Sequence, residues 1–212
     1  MTSPIVCVTK RNGGVRLAVD YRYLNSFTVP DAYQMVTVNE ILNKMGSANY
    51  IILFDTKSGY WQIPVAEDDQ WKTTFVAHYG LYQWTRMPFG LRNAVSTFVR
   101  AMKTILRPVS AFADTYVDDM SFGSGQWLQH ECHVRQYLQV IRDAGITLNL
   151  EKCDFGKPDV KLVGHIVESG CKKADPERTQ AMSQMARPST KGKLRGAMGY
   201  YSLRGGLSPS LI

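Results

Sequence analysis

The sequence predicts an α+β fold in which an antiparallel sheet is backed by helices. Short apolar and β-branched runs pair up around turn residues at 10–14, 79–80 and 118–119, the pattern of hairpins. Two stretches, one after Asn93 and one from Leu128 to Ala144, carry apolar residues at helical spacing. Strands and helices interleave without the regular β-α-β alternation of a doubly wound parallel sheet.

The elements follow in chain order. Ser3–Val8 and Arg16–Val19 read as strands joined by a basic turn, Lys10-Arg11-Asn12-Gly13-Gly14. Thr37 and Glu40 have the spacing of a capping box, with Val38, Ile41, Leu42 and Met45 on one face and Gly46 as the stop. Tyr50–Asp55 is an uninterrupted apolar run too short for a helix and suited to a buried central strand. Lys72–Ala77 and Leu81–Met87 form a second hairpin around Tyr79-Gly80. Pro88-Phe89-Gly90 breaks that strand. Asn93 caps a helix with Val95, Phe98, Met102, Ile105 and Leu106 on its apolar face, and Pro108 ends it. After the Asp118-Asp119 hairpin comes the helix Leu128–Ala144, closed by Gly145. Ile146–Leu150 and Val160–Val167 read as strands, and Asp175-Pro176-Glu177 opens a helix that Pro188 ends. A last helix is expected through the stretch from Arg187 to the C-terminus, which holds five basic residues and no acid.

Composition narrows the function. With 44% hydrophobic residues in 212, the chain can bury one sizeable core or two small ones. A net charge of +7 favours an anionic partner, nucleic acid first among them. The four cysteines (Cys7, Cys132, Cys153, Cys171) are scattered without a C-x-x-C, so neither a zinc ribbon nor a disulfide framework is expected. His130, Cys132 and His133 fit a periodic polar helix better than a metal site. No apolar stretch approaches the roughly 20 residues of a membrane span, no secretory leader is visible, and a reducing intracellular setting is expected.

The chemistry centres on carboxylates. On a straight strand Asp118 and Asp119 would point to opposite faces, whereas at a hairpin tip both can approach one place. Asp55 ends another buried strand. If the two strands are neighbours, three carboxylates converge, and like charges gathered together call for a cation. Such a set can hold two Mg²⁺ ions roughly 3.5–4 Å apart. That arrangement serves phosphoryl transfer, and in a basic chain it points to a polymerase or a nuclease.

Tyr116-Val117-Asp118-Asp119 resembles the signature of reverse transcriptases. Its companions, in order, resemble those of Ty3/gypsy-type long-terminal-repeat retrotransposons. They are Ser3-Pro4-Ile5-Val6, Val19-Asp20-Tyr21-Arg22 with Leu24-Asn25, Phe54-Asp55 with Ser58-Gly59-Tyr60, and Met87-Pro88-Phe89-Gly90-Leu91. Leu148-Asn149 with Lys152-Cys153, Val163-Gly164-His165 and Asp175-Pro176-Glu177 follow. Gln34, Val36 and Val95 stand where the family often has proline.

The resemblance implies a right-hand polymerase fold. Residues 1–174 would be fingers (about 1–48 and 61–88) and palm, and 175–212 the start of a thumb or connection, cut short. The activity implied is RNA-directed DNA polymerisation within a retrotransposon polyprotein. Mg²⁺, or Mn²⁺ in its place, would be the cofactor, and template–primer and dNTPs the partners, with no membrane; the setting would be the cytoplasm, a virus-like particle or the nucleus. By position, Asp55, Asp118 and Asp119 match the catalytic carboxylates, and the Thr56 carbonyl a further metal ligand. Lys10 and Arg16 match cations that hold the triphosphate. Tyr60 matches the aromatic beneath the incoming sugar, and Phe89 lies toward its 3′ side. Tyr116 would touch the primer end, Gly164 and His165 would grip the primer, and Lys152 would protonate the leaving pyrophosphate. The rival reading is a catalytically inactive remnant that only binds nucleic acid through its basic surface.

Overall fold

The computed structural model describes residues 2–9, 13–34, 36–45, 48–117, 119–162, 165–168, 171–174, 189–192 and 195. Lys10, Asp118, Gly164, the helix expected from Asp175 and most of the basic helix after Arg187 lie outside these, as do the side chains of Arg16 and His165.

In order, the chain forms β1 (Ile5–Thr9), β2 (Val15–Val19), α1 (Arg22–Phe27), α2 (Val38–Met45), β3 (Tyr50–Asp55), α3 (Glu67–Gln70), β4 (Phe75–Ala77) and β5 (Gly80–Tyr82). Then come α4 (Ala94–Ile105), β6 (Ala113–Tyr116), β7 (Asp119–Ser124), α5 (Trp127–Asp143), β8 (Asp154–Lys157), β9 (Asp159–Leu162), β10 (His165–Glu168) and β11 (Cys171–Ala174). The central sheet has strand order β6-β7-β3-β8, with every pairing antiparallel. Hairpins β1-β2 and β4-β5 and a three-stranded sheet β11-β10-β9 stand beside it.

The two faces of the central sheet follow from side-chain alternation along its strands. On one face Ile52, Phe54, Met120 and Phe122 pack against α4 and α5, through Phe98, Met102, Tyr137 and Ile141. Phe54 stacks on Tyr137 with ring centres 4.7 Å apart, and the Tyr137 hydroxyl donates to the Met120 Sδ at 2.9 Å. On the other face Ile51 and Leu53 meet Ile41 and Met45 of α2, together with Val160, Leu162 and Val167. Asp55 and Asp119 lie in this second row, beyond the end of that smaller core.

Several expectations hold. Thr37 and Glu40 cap α2 reciprocally: the Thr37 N–H donates to Glu40 Oε2 at 2.9 Å, and the Glu40 N–H to Thr37 Oγ1 at 3.3 Å. The first turn is a hairpin with Thr9 opposite Val15. Others are corrected. Ile146–Leu150 is not a strand: Leu148 makes one bridge to Thr56, and Leu150–Lys152 is a 3₁₀ turn. Val160–Val167 is two strands, β9 and β10, folded back on each other. The strand expected over Lys72–Ala77 begins only at Phe75, because Trp71–Thr73 is a 3₁₀ turn. Its partner stops at Tyr82, leaving Arg86 with a single bridge to Pro64. Asn93 caps nothing with its side chain, which is spent on the Asp31 N–H and the Val29 carbonyl.

His130 and His133 do not sit on a polar face. Their Nδ1 atoms lie 3.2 and 3.0 Å from the Ser124 Oγ, and His133 stacks on Phe112 at 3.9 Å, while Cys132 is exposed. Burial lowers both imidazole pKa values, and for His130 the neighbouring His133 adds to the effect. The unfolded chain therefore takes up protons that the folded chain resists, so stability is full above the ordinary histidine pKa of about 6.5 and is lost as pH falls below it. Urea midpoints should drop from pH 7 to pH 5, and His130→Asn, whose amide can replace the Nδ1 contact, should flatten that slope. An equal slope in the variant would contradict this account.

Candidate active site

The site is built on the row Tyr116, Asp119, Asp55, which crosses three adjacent strands. Tyr116 pairs with Asp119 across the β6-β7 hairpin, and Asp119 pairs with Asp55 across β7-β3. Directly opposed residues in an antiparallel pair have Cα atoms about 4.5–5.5 Å apart, so the two carboxylates share one face at close range. Asp119 is the first residue of β7, just beyond the turn. Val117 follows directly on Tyr116, the last residue of β6 before the chain returns as β7. Val117 has φ 54°, a left-handed conformation that a β-branched residue adopts only under strain. That strain lets β6 reverse into β7 within two residues, the tight turn expected of Tyr-Val-Asp-Asp.

Asp55 is held from behind. The Asn149 N–H donates to the Asp55 carbonyl at 2.8 Å, and the Lys57 N–H to the Thr147 carbonyl at 3.0 Å. Gln62 locks the same loop, a role not visible in the sequence. Its Nε2 donates to the Lys57 and Thr147 carbonyls at 2.7 and 2.9 Å, and its Oε1 accepts the Thr147 N–H at 2.7 Å. The tethered loop runs into Leu150–Lys152 and delivers the Lys152 Nζ to 3.8 Å from Asp55 Oδ2. At that length, and with the lysine two-thirds exposed, the contact adds little stability but sets a mobile cation beside the carboxylate.

Thr56 is buried and its Oγ1 has no hydrogen-bond partner among the described residues. Gly59 explains the crowding there: a Cβ at this position would lie 2.5 Å from Thr56 Oγ1 and 3.0 Å from the Phe98 ring. Next to it, Tyr60 sits in the 3₁₀ turn Gly59–Gln62 with its ring edge-to-face against Phe89 and Phe98, at 5.2 and 5.4 Å. Only 8% of Tyr60 is exposed, so it is a core residue. The structure thus brings Asp55, Asp119, Tyr116 and Lys152 together, while Tyr60 and Phe89 pack on each other in the adjoining core.

Among the described residues no three acidic, histidine or cysteine side chains form a metal cluster. Asp55 and Asp119 do stand opposite each other in the strand register, and the third expected ligand, Asp118, falls outside the described residues. Paired all-oxygen donors of this kind suit a hard divalent cation. Elsewhere, Arg22 grips Asp20 through its side chain and backbone N–H and holds that carboxyl down at about 2. Burial pushes Tyr21 up to about 12, and its hydroxyl donates to the Thr73 carbonyl at 2.8 Å.

A family described as "Reverse transcriptase (RNA-dependent DNA polymerase)" matches residues 8–167. The chain belongs to the reverse transcriptase family. It is 38% identical over 192 residues to the retrovirus-related Pol polyprotein from transposon gypsy of Drosophila melanogaster, spanning 90% of this chain and 19% of that one. The Tf2-3 polyprotein of Schizosaccharomyces pombe is 30% identical over 198 residues, 92% of this chain and 15% of its own length. The chain thus spans less than a fifth of the length of these relatives, whose gypsy-type character agrees with the motif order. Among solved structures, the foamy viral protease–reverse transcriptase dRH in complex with double-stranded DNA superposes with a TM-score of 0.87. That match has 24% identity and covers 96% of this chain and 36% of that one, so it establishes the fold. A second, with RNA/DNA hybrid, has a TM-score of 0.81 at 24% identity, covering 96% and 27%. The right-hand polymerase fold accounts for the observed mixture of helices and antiparallel sheets. No helix among the described residues is long and apolar enough to cross a membrane.

Like charges directly opposed across strands repel, which gives a test that needs no catalysis. Without divalent ions, Asp119→Asn should melt at or above the wild-type temperature. With Mg²⁺ at ten times its dissociation constant, the wild type should gain about 1.4 kcal/mol, or roughly 3–6 °C, and the variant far less. Equal Mg²⁺ shifts in both proteins would show that the pair is not a cation site.

Proposed function

We propose that the chain is an RNA-directed DNA polymerase domain that extends a primer with dNTPs on an RNA or DNA template, as part of a retrotransposon polyprotein. The observation that carries this reading is the register placing Asp55 opposite Asp119 on one face of the sheet, in a chain of this family. The nucleic acids named with its foamy viral neighbours support a template–primer as partner. Residues 1–174 act as fingers and palm, and 175–212 begin the thumb, in an intracellular setting.

Asp55, Asp118 and Asp119, with the Thr56 carbonyl, hold Mg²⁺ or Mn²⁺. Bound there, the ions would neutralise charge on the attacking primer 3′-oxygen and on the leaving pyrophosphate. The chain's own residues do the rest. Lys10 and Arg16 hold the triphosphate. Lys152, within 3.8 Å of Asp55, supplies a proton to the leaving group. Tyr116, in the same cross-strand row as both carboxylates, meets the primer end, and Gly164 and His165 grip the primer. Tyr60, braced by Phe89 and Phe98, excludes a 2′-hydroxyl, while Phe89 faces the 3′ side of the sugar. Bracing matters because discrimination by clash needs a ring that cannot move aside.

Asp55→Asn, Asp118→Asn and Asp119→Asn should each abolish Mg²⁺-dependent primer extension on an RNA template while the circular dichroism spectrum is kept. Extension by any of them at the wild-type rate would rule out its assigned role. Retained primer–template binding by a wild type that never extends would favour the nucleic-acid-binding remnant instead. Tyr60→Ala should cut the dNTP-over-rNTP preference more than tenfold, equivalent to about 1.4 kcal/mol. An unchanged preference would leave Tyr60 as a core residue only.

A further inference from the structure

Residues 88–93 set Phe89 against Tyr60, and the stretch 91–93 borders open space on its other side. A cavity of about 300 Å³ opens behind this loop, walled by Leu24, Thr28, Ile63, Val65, Met87 and Leu91. Hydrogen bonds from a distant segment hold the loop instead. Asn25 of α1 makes two of them with its amide: Nδ2 donates to the Gly90 carbonyl at 2.8 Å, and Oδ1 accepts the Arg92 N–H at 2.8 Å. The Arg92 guanidinium answers by donating to the carbonyls of Asn25 and Thr28 at 3.1 and 3.3 Å. Gly90 has φ +93°, and a Cβ there would lie 3.4 Å from the Val19 carbonyl oxygen, so the loop passes close over the β2 end in a conformation that favours glycine. Phe89 immediately precedes this clamped residue, and its ring braces Tyr60.

We infer that Asn25 is a positioning residue for nucleotide selection. It fixes the 88–93 loop, the loop sets Phe89, and Phe89 keeps Tyr60 from yielding to a ribose 2′-hydroxyl. An amide is the side chain this job requires, since one end must donate to a carbonyl while the other accepts an N–H. Without it the stretch around Gly90 has somewhere to go, because Leu91 borders the cavity and can shift into it. The inference rests on the polymerase reading above, and it concerns a residue that is not itself in contact with the reacting groups.

The test is single-nucleotide incorporation with Mg²⁺ by wild type, Asn25→Ala and Asn25→Asp, with active-site titration, alongside amide hydrogen exchange. Asn25→Ala should raise the dNTP KM at least tenfold, lower kcat less than threefold, and reduce the dNTP-over-rNTP preference at least threefold. The amides of residues 90–92 should exchange faster while those of β3 and β7 keep their protection. Asn25→Asp, which retains the acceptor for Arg92 but loses the donor to Gly90, should fall between. A loss of kcat or of titratable sites with KM and nucleotide preference unchanged would overturn the inference, leaving Asn25 a general stabilising residue. If the wild type itself extends no primer, the polymerase reading fails separately. The exchange data then decide the clamp alone, and unchanged exchange at 90–92 overturns it.

Discussion

The structure depends on the register between β3 and β7. Side chains alternate along a strand, so a single pairing, Phe54 opposite Met120, also fixes Asp55 opposite Asp119 on the other face. A slip of one residue would drive the carboxylates into the core and turn Phe54 out. Magnitudes show which side enforces the register. Burying Ile52, Phe54, Met120 and Phe122 contributes roughly 6–12 kcal/mol at about 1.5–3 kcal/mol per side chain. Repulsion between opposed like charges costs roughly 0.2–1 kcal/mol. The apolar face therefore sets the geometry, and the carboxylates are carried into an unfavourable arrangement that a bound cation would relieve.

The surroundings convert that arrangement into a site. Gln62 and the Asn149–Asp55 backbone bond tie the 147–152 loop to the end of β3, which brings a lysine within reach. Gly59 lets Thr56 and Phe98 come close, and Phe98 in turn supports Tyr60. The end of β3 and the Tyr60 ring are thus two ends of one continuous packing, so a change in the helix core at Phe98 reaches both.

The sequence was informative where one residue type had one physical use. The unbroken apolar run Tyr50–Asp55 could only be a buried strand, and the Thr37/Glu40 spacing marked its helix start by a bond made within four residues. Local signals misled where tertiary bonds decide. Ile146–Leu150 has a strand's composition, but its backbone is committed to Thr56, Lys57 and Gln62. α1 has no side-chain cap, and Asn25 anchors it to a loop 65 residues away. β8 is polar and pairs with β3 through an irregular register, so no alternation announces it. For the site, the residue types were legible and their partners were not. Asp55 and the Asp118-Asp119 pair stood out, but only the register shows that Asp119 is paired with Asp55.

On this reading Asp55 and Asp119 gather divalent ions at one spot. Iron-mediated backbone cleavage tests it most directly, with Fe²⁺ substituted for Mg²⁺ and ascorbate and peroxide generating radicals in place. Cuts confined to the chain around residues 54–57 and 116–120, and suppressed by excess Mg²⁺, are the predicted result. Cleavage elsewhere, or cleavage that Mg²⁺ does not suppress, would contradict the account.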